Sequence, residues 1–301
     1  MFDKKAAVFF YAISPVHMGA GQAIGVIDNP IQRERHTRHP SFAGSGIKGA
    51  VRHGFKGLGG AESDLSALFG PVAQSSQLHA GAVSFSDAQL VALPIRSARE
   101  GYVYATCPQA IARASRLLGL MGHTLNWPVF NLEQGQCLLT NNDLFSDHDQ
   151  KIHLESFEYN ARMHVPLRSV AEQFADMVFP TETREANAYF HQKMIRDLVV
   201  LTDSDFDYFS SHATLVEAHV RIDDETGAAS DGGLFYTENL PPESVMISSL
   251  MVSQSRTGQK EELPAEAVMQ RIKTVIHGKL LQLGGDASTG RGLMLTSVVG
   301  G

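Results

Sequence analysis

Residues 25–52 read GVIDNPIQRERHTRHPSFAGSGIKGAVR, and the features that decide the fold and the function lie within or around them. Asp28 follows a short apolar segment, residues 24–27, and precedes Asn29-Pro30, a turn-forming pair. Gly44-Ser45-Gly46 then opens a stretch with helical spacing. The order is therefore an acid at a turn, a run of cations, and a glycine-rich entry into a helix.

Positive charge is concentrated in this region. Between residues 29 and 60 the chain has one acid, Glu34, and six cations, which we call the basic strip: Arg33, Arg35, Arg38, Lys48, Arg52 and Lys56. The local charge is +5 and the whole chain carries −7, so the remainder carries −12, the total less this +5. A basic strip on an acidic body indicates a defined track for a polyanion, although charge alone fits a solvated loop equally well.

The composition is that of a folded, soluble chain. With 301 residues, 43% hydrophobic and 19% charged, it can bury a full core. It has no apolar run of about 18 residues, and residues 1–5 are too polar to open a signal peptide. Cys107 and Cys137 have neither disulfide-framework nor zinc-site spacing. We expect a cytoplasmic protein that contacts no membrane.

Periodicity predicts one α+β body with insertions, spanning residues 1–301. Strands are expected at residues 2–13, 82–93 and 102–106, and helices at residues 109–121 and 265–276. The polar middle, residues 143–212, is expected to be a helical insertion. Residues 213–244 should form a long exposed hairpin, because two strand-like runs flank turn-forming residues such as Asp223 and Gly227.

Gly44-Ser45-Gly46-Ile47-Lys48-Gly49 fits the GxGxxG pattern of dinucleotide-binding proteins. The buried parallel strand that must precede such a fingerprint is missing, which disfavours an oxidoreductase. A Gly-Ser-Gly turn at a helix start still presents backbone N–H groups to a phosphate, and Lys48 and Arg52 share one helical face beside it. The alternative is a capped surface helix that binds nothing.

Two other patterns fail the motifs that they resemble. Residues 284–292, GGDASTGRG, lack the Gly-Lys-Ser/Thr ending of a P-loop, so NTPase activity is not supported. Their glycines indicate the close approach of a ligand or of another backbone segment, or simply a tight turn. Asp203, Asp205 and Asp207 begin like a calcium loop, but Tyr208 stands where glycine is required.

Asp28 and His17 are the candidate catalytic residues. A carboxylate beside RNA is electrostatically unfavourable unless it holds a cation or accepts a proton, and both roles serve RNA cleavage. His17 could act as acid or base. For Asp28, a turn-capping role before Asn29-Pro30 is at least as well supported by the residues alone.

Several segments together match one family pattern: SPVHMGAG (14–21), GVIDNPIQRERHT (25–37), PSFAGSGIKGAVR (40–52), VRIDDETGAASDGGLFYTENLPPES (220–244) and GGDASTGRG (284–292). This combination resembles the repeated backbone subunit of type III-B CRISPR effector complexes, within the RAMP superfamily. The motifs span almost the whole chain, and about residues 143–205 match nothing in the pattern.

The resemblance implies a ferredoxin-like palm, related to RNA-recognition folds, with helical fingers and a β-hairpin thumb. It places Asp28 at the catalytic and Mg²⁺-binding position and His17 at a second catalytic position. Guide-RNA contacts are implied at Ser45, Gly46, Lys48, Arg52, Gly290 and Arg291, and thumb positions near the target at Arg221, Tyr236 and Glu238. The implied partners are guide CRISPR RNA, complementary target RNA, further copies of the chain and other type III-B subunits.

The leading hypothesis is therefore a guide-binding filament subunit that also cleaves target RNA at regular intervals as a metal-dependent endoribonuclease. One alternative keeps the filament and leaves cleavage to another subunit. Another is a stand-alone endonuclease that processes precursor guide RNA with His17 as base.

Overall fold

The computed structural model describes residues 2–21, 25–72, 75, 78–146, 150–258 and 262–301. Ile24, the first residue of the predicted apolar segment 24–27, lies outside them. The strands in this part of the chain are β1 Lys4–Ala12, β2 Ser41–Phe42, β3 Val83–Phe85, β4 Ala88–Arg96, β5 Tyr102–Thr106, β6 Gln136–Leu139, β7 Lys151–Leu154, β8 Phe157–Met163, β9 Leu198–Val200, β10 Leu215–Ile222, β11 Ala229–Asn239, β12 Val245–Val252, β13 Leu280–Gln282 and β14 Leu293–Gly300. The α-helices are α1 Gly44–Gly54, α2 Leu65–Phe69, α3 Pro108–Leu120, α4 Val165–Val178, α5 Ala188–Arg196, α6 Asp203–His212 and α7 Ala265–Ile276.

One large mixed sheet organises the chain. Its strands follow the order β13-β14-β1-β12-β4-β5-β9-β6-β8-β7, with β2 paired to β4 and β3 to β12. β1 is antiparallel to both β12 and β14, whereas β5 and β9 run parallel. The α+β class expected from the sequence is confirmed, while the ferredoxin-like palm stays a prediction.

β1 lies at the centre of the core because both faces of the sheet are covered there. Val8 and Phe10 face one layer, which includes residues of α1 and α7. Phe9 and Tyr11 face the other, which includes residues of α3 and α4. This two-sided burial explains why residues 6–12 are almost continuously apolar instead of alternating.

The two helices expected at residues 109–121 and 265–276 are confirmed. α3 begins at Pro108, one residue before the expected start, and Gly122 with φ 94° follows its end. α7 runs from Ala265 to Ile276 and is followed by Gly278 with φ 67°. The structure also disagrees with a dinucleotide-binding fingerprint at residues 44–49. The strand directly before α1 is β2, which has two residues and is antiparallel to β4, whereas the fingerprint requires a buried parallel strand there.

The segment at residues 143–212 contains α4, α5 and α6, but it is not purely helical. Its strands β7, β8 and β9 join the main sheet, where β9 pairs with β5 and β6. The three aspartates in this segment belong to α6, which begins at Asp203 and is capped by the Thr202 side chain. The division of the chain into a body with two insertions stays a prediction.

β10 and β11 form a separate two-stranded antiparallel sheet, which we call the hairpin. Its two strands, Leu215–Ile222 and Ala229–Asn239, lie within the range 213–244 expected for a hairpin. Eleven residues of β11 at about 3.3 Å each make an arm of roughly 35 Å.

Among the helices of the described residues, none combines the length and the hydropathy that a membrane span requires.

Glu243 lies at the bend between β11 and β12 in a left-handed conformation, with φ 71°. Its N–H donates to the Ala12 carbonyl at 2.8 Å, while its buried Oε2 has no hydrogen-bond partner among the described residues. Burial disfavours the ionised form and raises the pKa of Glu243 to about 7, above the ordinary value of 4.5.

Folding therefore favours the protonated form of Glu243. The stability that this form contributes is fully present below the unfolded pKa and is lost as the pH rises through the folded pKa of about 7. We predict that Glu243→Gln raises the melting temperature relative to the natural chain by more at pH 8 than at pH 5. Melting curves at both pH values test this, with exposed Glu185→Gln as control. A difference that does not change with pH would contradict the assignment.

Candidate functional site

One edge of β11 faces away from β10. This edge binds Asp28 and His17, the two candidate catalytic residues. The Asn29 N–H donates to the Tyr236 carbonyl, and the Glu238 N–H donates to the Asn29 carbonyl, both at 3.0 Å. Asn29 thus pairs with this edge as a short parallel bridge. The Asp28 Oδ2 atom accepts the Tyr236 N–H at 2.7 Å, which fixes the carboxylate against the strand.

His17 binds the same edge from another segment. Its Nδ1 lies 2.7 Å from the Glu238 carbonyl oxygen. A carbonyl only accepts, so Nδ1 carries the proton and the neutral ring has its lone pair at Nε2. A Cβ on Gly19 would lie 2.9 Å from Nε2, so any side chain at position 19 would crowd this nitrogen.

Asp28 and His17 therefore bind the same edge of β11, although eleven positions separate them in sequence. Their anchors, Tyr236 and Glu238, are alternate residues of one strand and so lie about 7 Å apart on one edge. Beside Asp28 is a cavity of about 430 Å³, lined by Asp28, Asn29, Arg221, Gly232, Gly233, Leu234 and Phe235. The Asp28 carboxylate and the Arg221 guanidinium of this cavity can both serve phosphodiester chemistry, while His17 binds the same strand edge outside the cavity lining.

Glu238 is buried beneath this edge and holds the hairpin to the basic strip. Its side chain is 4% exposed and forms an ion pair with Arg33, which is 13% exposed. The same carboxylate accepts hydrogen bonds from the Thr214 hydroxyl at 2.8 Å and from the Ile31 N–H at 3.1 Å. We call this group the Glu238 clasp. It leaves the Glu238 side chain little freedom to contact a bound strand, and its predicted place near the target stays a prediction.

The basic strip is divided by the fold. Arg33 is neutralised by Glu238, and Lys56 by Glu62 on the surface. The other four cations have no carboxylate partner among the described residues: Arg35, Arg38, Lys48 and Arg52. The single acid of the strip, Glu34, is paired with Arg113 of α3; burial raises the pKa of Glu34, but hydrogen bonds from Arg113 and Thr37 outweigh this and hold it below its usual value.

α1 begins at Gly44, as the Gly-Ser-Gly motif predicted, but its first donors are already used. The Gly44 N–H donates to Asp87 at 2.8 Å, and the Ala43 N–H to Gln32 at 2.9 Å. Ser45 and Gly46 remain as free N–H groups within the described structure. Asp87 was missed from the sequence because its carboxylate reaches the helix across 43 positions.

Lys48 and Arg52 project from α1 one turn apart. Lys48 is partly buried, and this burial, together with the nearby Arg52 charge, lowers the pKa of the Lys48 amine. Gly44 has no room for a side chain, since a Cβ would lie 2.2 Å from the Phe85 carbonyl oxygen. The start of the helix is therefore held tightly against the end of β3.

The glycine-rich loop at residues 284–292 packs against the segment that carries His17. The Gly285 N–H donates to the His17 carbonyl at 2.9 Å, and a Cβ on Gly284 would lie 2.3 Å from that oxygen. The close approach inferred from the glycines is thus to another backbone segment. Gly290 has φ 82°, and Arg291 forms an ion pair with Glu217 of the hairpin at 2.8 Å, so the predicted guide contact at Arg291 would compete with this pair.

The described side chains around Asp28 do not supply a full set of metal ligands. No cluster of three or more His, Cys, Asp or Glu side chains suited to a metal occurs in the described residues. Asp28 Oδ2 is engaged by Tyr236, which leaves Oδ1 as the donor. One carboxylate oxygen fits a Mg²⁺ ion that is held mainly by water and substrate phosphates.

The fold and site therefore define an α+β protein with an arm-like hairpin whose edge carries an aspartate and a histidine. The family model of the RAMP superfamily matches residues 9–294. The protein called CRISPR system Cmr endoribonuclease Cmr4 of Pyrococcus furiosus is 30% identical over 297 residues, 97% of this chain and 94% of that protein. The chain belongs to the RAMP superfamily, and the resemblance stated from its motifs is confirmed.

Solved structures share the fold. The crystal structure of oligomeric Cmr4 from Pyrococcus furiosus has a TM-score of 0.72 at 24% identity and covers 98% of both chains. A chain of the type III-B Cmr-beta complex bound to cognate target RNA has a TM-score of 0.71 at 19% identity, covering 99% of this chain and 98% of that one.

The Glu238 clasp predicts an asymmetry between two ion pairs. Glu238→Ala leaves Arg33 buried without its carboxylate, which should cost about 3–5 kcal/mol of unfolding free energy. The control Glu62→Ala removes the partner of Lys56 on the surface, where the cost should stay below about 1 kcal/mol. Urea unfolding of both variants measures the difference. Equal, small losses would contradict the clasp.

Proposed function

We propose that this chain is a guide-RNA-binding backbone subunit of a type III-B CRISPR effector complex, and that each copy cleaves complementary target RNA. The observation that carries the proposal is that Asp28 and His17, from separate segments, bind the same edge of the hairpin. The names of the relatives, an endoribonuclease and a complex bound to target RNA, support the same substrate and assembly.

In this proposal the large sheet is a ferredoxin-like palm, the segment at residues 143–212 supplies the fingers, and the hairpin is the thumb. The thumb wedges between guide and target and holds the target strand in a splayed geometry beside the palm. Arg221 and Tyr236 then lie next to the target, and Glu238 acts by anchoring the thumb. Copies of the chain stack along the guide with other type III-B subunits in the cytoplasm.

Cleavage is an in-line attack by the target's own 2′-hydroxyl. The 2′-oxygen forms a bond to the adjacent phosphorus, and the bond from phosphorus to the 5′-oxygen breaks. This leaves a 2′,3′-cyclic phosphate and a 5′-hydroxyl, whose oxygen takes a proton from water. His17 accepts the 2′-hydroxyl proton at Nε2, because its Nδ1 is committed to the Glu238 carbonyl.

Asp28 positions the reacting phosphate. Its Oδ2 is held by the Tyr236 N–H, and Oδ1 is the atom that would hold Mg²⁺. The ion supplies positive charge at the phosphate when bound. Arg221, on the same cavity as Asp28, stabilises the negative charge that develops on the phosphate oxygens.

The guide is held by the other end of the basic strip. Lys48 and Arg52 provide charge, while the free N–H groups of Ser45 and Gly46 bind a phosphate at the start of α1. Gly290 and Arg291 border this path from the glycine-rich loop. These contacts read no bases, as a subunit that accepts any guide sequence requires.

A second candidate is a filament subunit without nuclease activity. It is favoured by the same bond that anchors Asp28, because a carboxylate that accepts the Tyr236 N–H can be a purely structural cap. Stand-alone processing of precursor guide RNA has no separate observation in its favour.

Asp28→Asn separates these candidates while it keeps an oxygen to accept the Tyr236 N–H. We predict that an assembled complex carrying Asp28→Asn loses at least about 100-fold in target cleavage, with guide binding and assembly retained. Asp143→Asn, at an exposed position, is the matched control. Undiminished cutting by the assembled mutant complex would contradict a catalytic role for Asp28 and would favour the filament subunit without nuclease activity.

His17 is tested by two substitutions that differ in one property. Asparagine can still donate to the Glu238 carbonyl but supplies no base, whereas alanine supplies neither. We predict that both His17→Asn and His17→Ala slow cleavage by about 10²–10⁴-fold, and that the pH dependence of the residual rate changes. Cleavage restored by asparagine would show that His17 acts only by positioning.

A further inference from the structure

A groove with unpaired cations lies on the sheet face opposite to α1. It has a volume of about 310 Å³, and its lining residues come from α3, β1, β4 and β12: Lys5, Gln89, Arg113, Arg116, Leu117, Leu120, Met121, Ser249 and Met251. Lys5 and Ala7 project from the same side of β1, and Ala7 packs in the core layer of α3. Ile47 and Val51 of α1 belong to the other layer.

The charge of the groove is entirely positive. Lys5 and Arg116 are exposed and have no carboxylate partner among the described residues, and no acid lines the groove. Arg113 is satisfied by Glu34. In an acidic protein, two free cations on one concave surface attract a polyanion.

The groove is connected to the basic strip through the loop at residues 33–40. Glu34 in this loop binds Arg113 of α3, and its backbone pairs with Arg38 and His39. The loop leads into β2, which pairs with Ala88 and Gln89 of β4, and Gln89 also lines the groove. Arg35 and Arg38, both exposed, therefore lie where a strand would pass from the face of α1 to the face of α3.

The remaining lining residues suit a sugar-phosphate backbone. Leu117, Leu120, Met121 and Met251 offer apolar surface, and Leu120 is 67% exposed. Gln89 and Ser249 add side chains that can donate or accept hydrogen bonds. Riboses can pack against the apolar wall while phosphates meet Lys5 and Arg116, without any contact that distinguishes bases.

We propose that this groove binds single-stranded RNA and extends the guide path beyond Lys48 and Arg52, around the loop at residues 33–40, to Arg116 and Lys5. The inference rests on the proposed function and names a second binding surface for the same ligand. Arg113 is a positioning residue in it, because its charge is taken up by Glu34.

The test measures binding of the purified full-length chain to a fluorescein-labelled single-stranded RNA of mixed sequence over a range of salt concentrations. Loss of two phosphate contacts in Lys5→Gln/Arg116→Gln should weaken binding roughly ten- to thirtyfold near 0.1 M salt and make the negative slope of log K against log salt shallower by about 1.4. Lys5→Arg/Arg116→Lys keeps both charges and should restore affinity. The matched control, Arg256→Gln/Lys279→Gln, removes two exposed cations outside the groove.

The outcomes distinguish failure of the groove proposal from failure of the proposed function. Natural chain that binds RNA, with a groove variant indistinguishable from the control variant, overturns the groove alone. A groove variant that keeps RNA affinity but loses self-association by mass photometry assigns the groove to a second copy and also overturns the inference. If the natural chain binds no RNA, the proposed function fails with it.

Discussion

The pairing of Glu238 with Arg33 is the constraint on which the site depends. Both groups are almost withdrawn from water, so neither charge can be left alone without a large cost. Their pairing fixes β11 against the segment that follows Asp28. Once this edge is fixed, Asp28 and His17 can bind alternate residues of one strand, and the hairpin can extend outwards without losing its register at the base.

The unpaired edge of a strand normally has to be covered or paired. Here the edge of β11 is covered by Asn29, Asp28 and His17, and two of these three residues are the ones to which the proposed mechanism assigns the chemistry. The bond that satisfies a backbone N–H fixes the Asp28 carboxylate, and the bond that satisfies the Glu238 carbonyl sets the tautomer of His17. In the proposed mechanism the two hydrogen bonds that satisfy the strand edge also orient the catalytic groups, so the site would be sensitive to the position of the hairpin.

Local patterns in the sequence were sufficient for α3, α7, the start of α1 and the existence of the hairpin, because each depends on spacing within a few turns. Long-range pairing was not accessible in this way. The bonds of Asp87 to Gly44, Arg291 to Glu217 and Arg33 to Glu238 join distant positions, and no periodicity marks them. The basic strip consequently looked like one surface, whereas the fold pairs Arg33 with Glu238 and Lys56 with Glu62, and divides the other four cations between α1 and the loop at residues 33–40.

The chemistry of the cut ends tests the account of the site most directly. A complex assembled on a guide and supplied with matching target RNA should release fragments at regular spacing, each with a 2′,3′-cyclic phosphate at one end and a 5′-hydroxyl at the next. Replacing the ribose at one cut position by 2′-deoxyribose should remove that cut and leave the others. Fragments with 3′-hydroxyl and 5′-phosphate ends, or a cut that persists at the deoxy position, would contradict attack by the 2′-hydroxyl at the Asp28 and His17 edge.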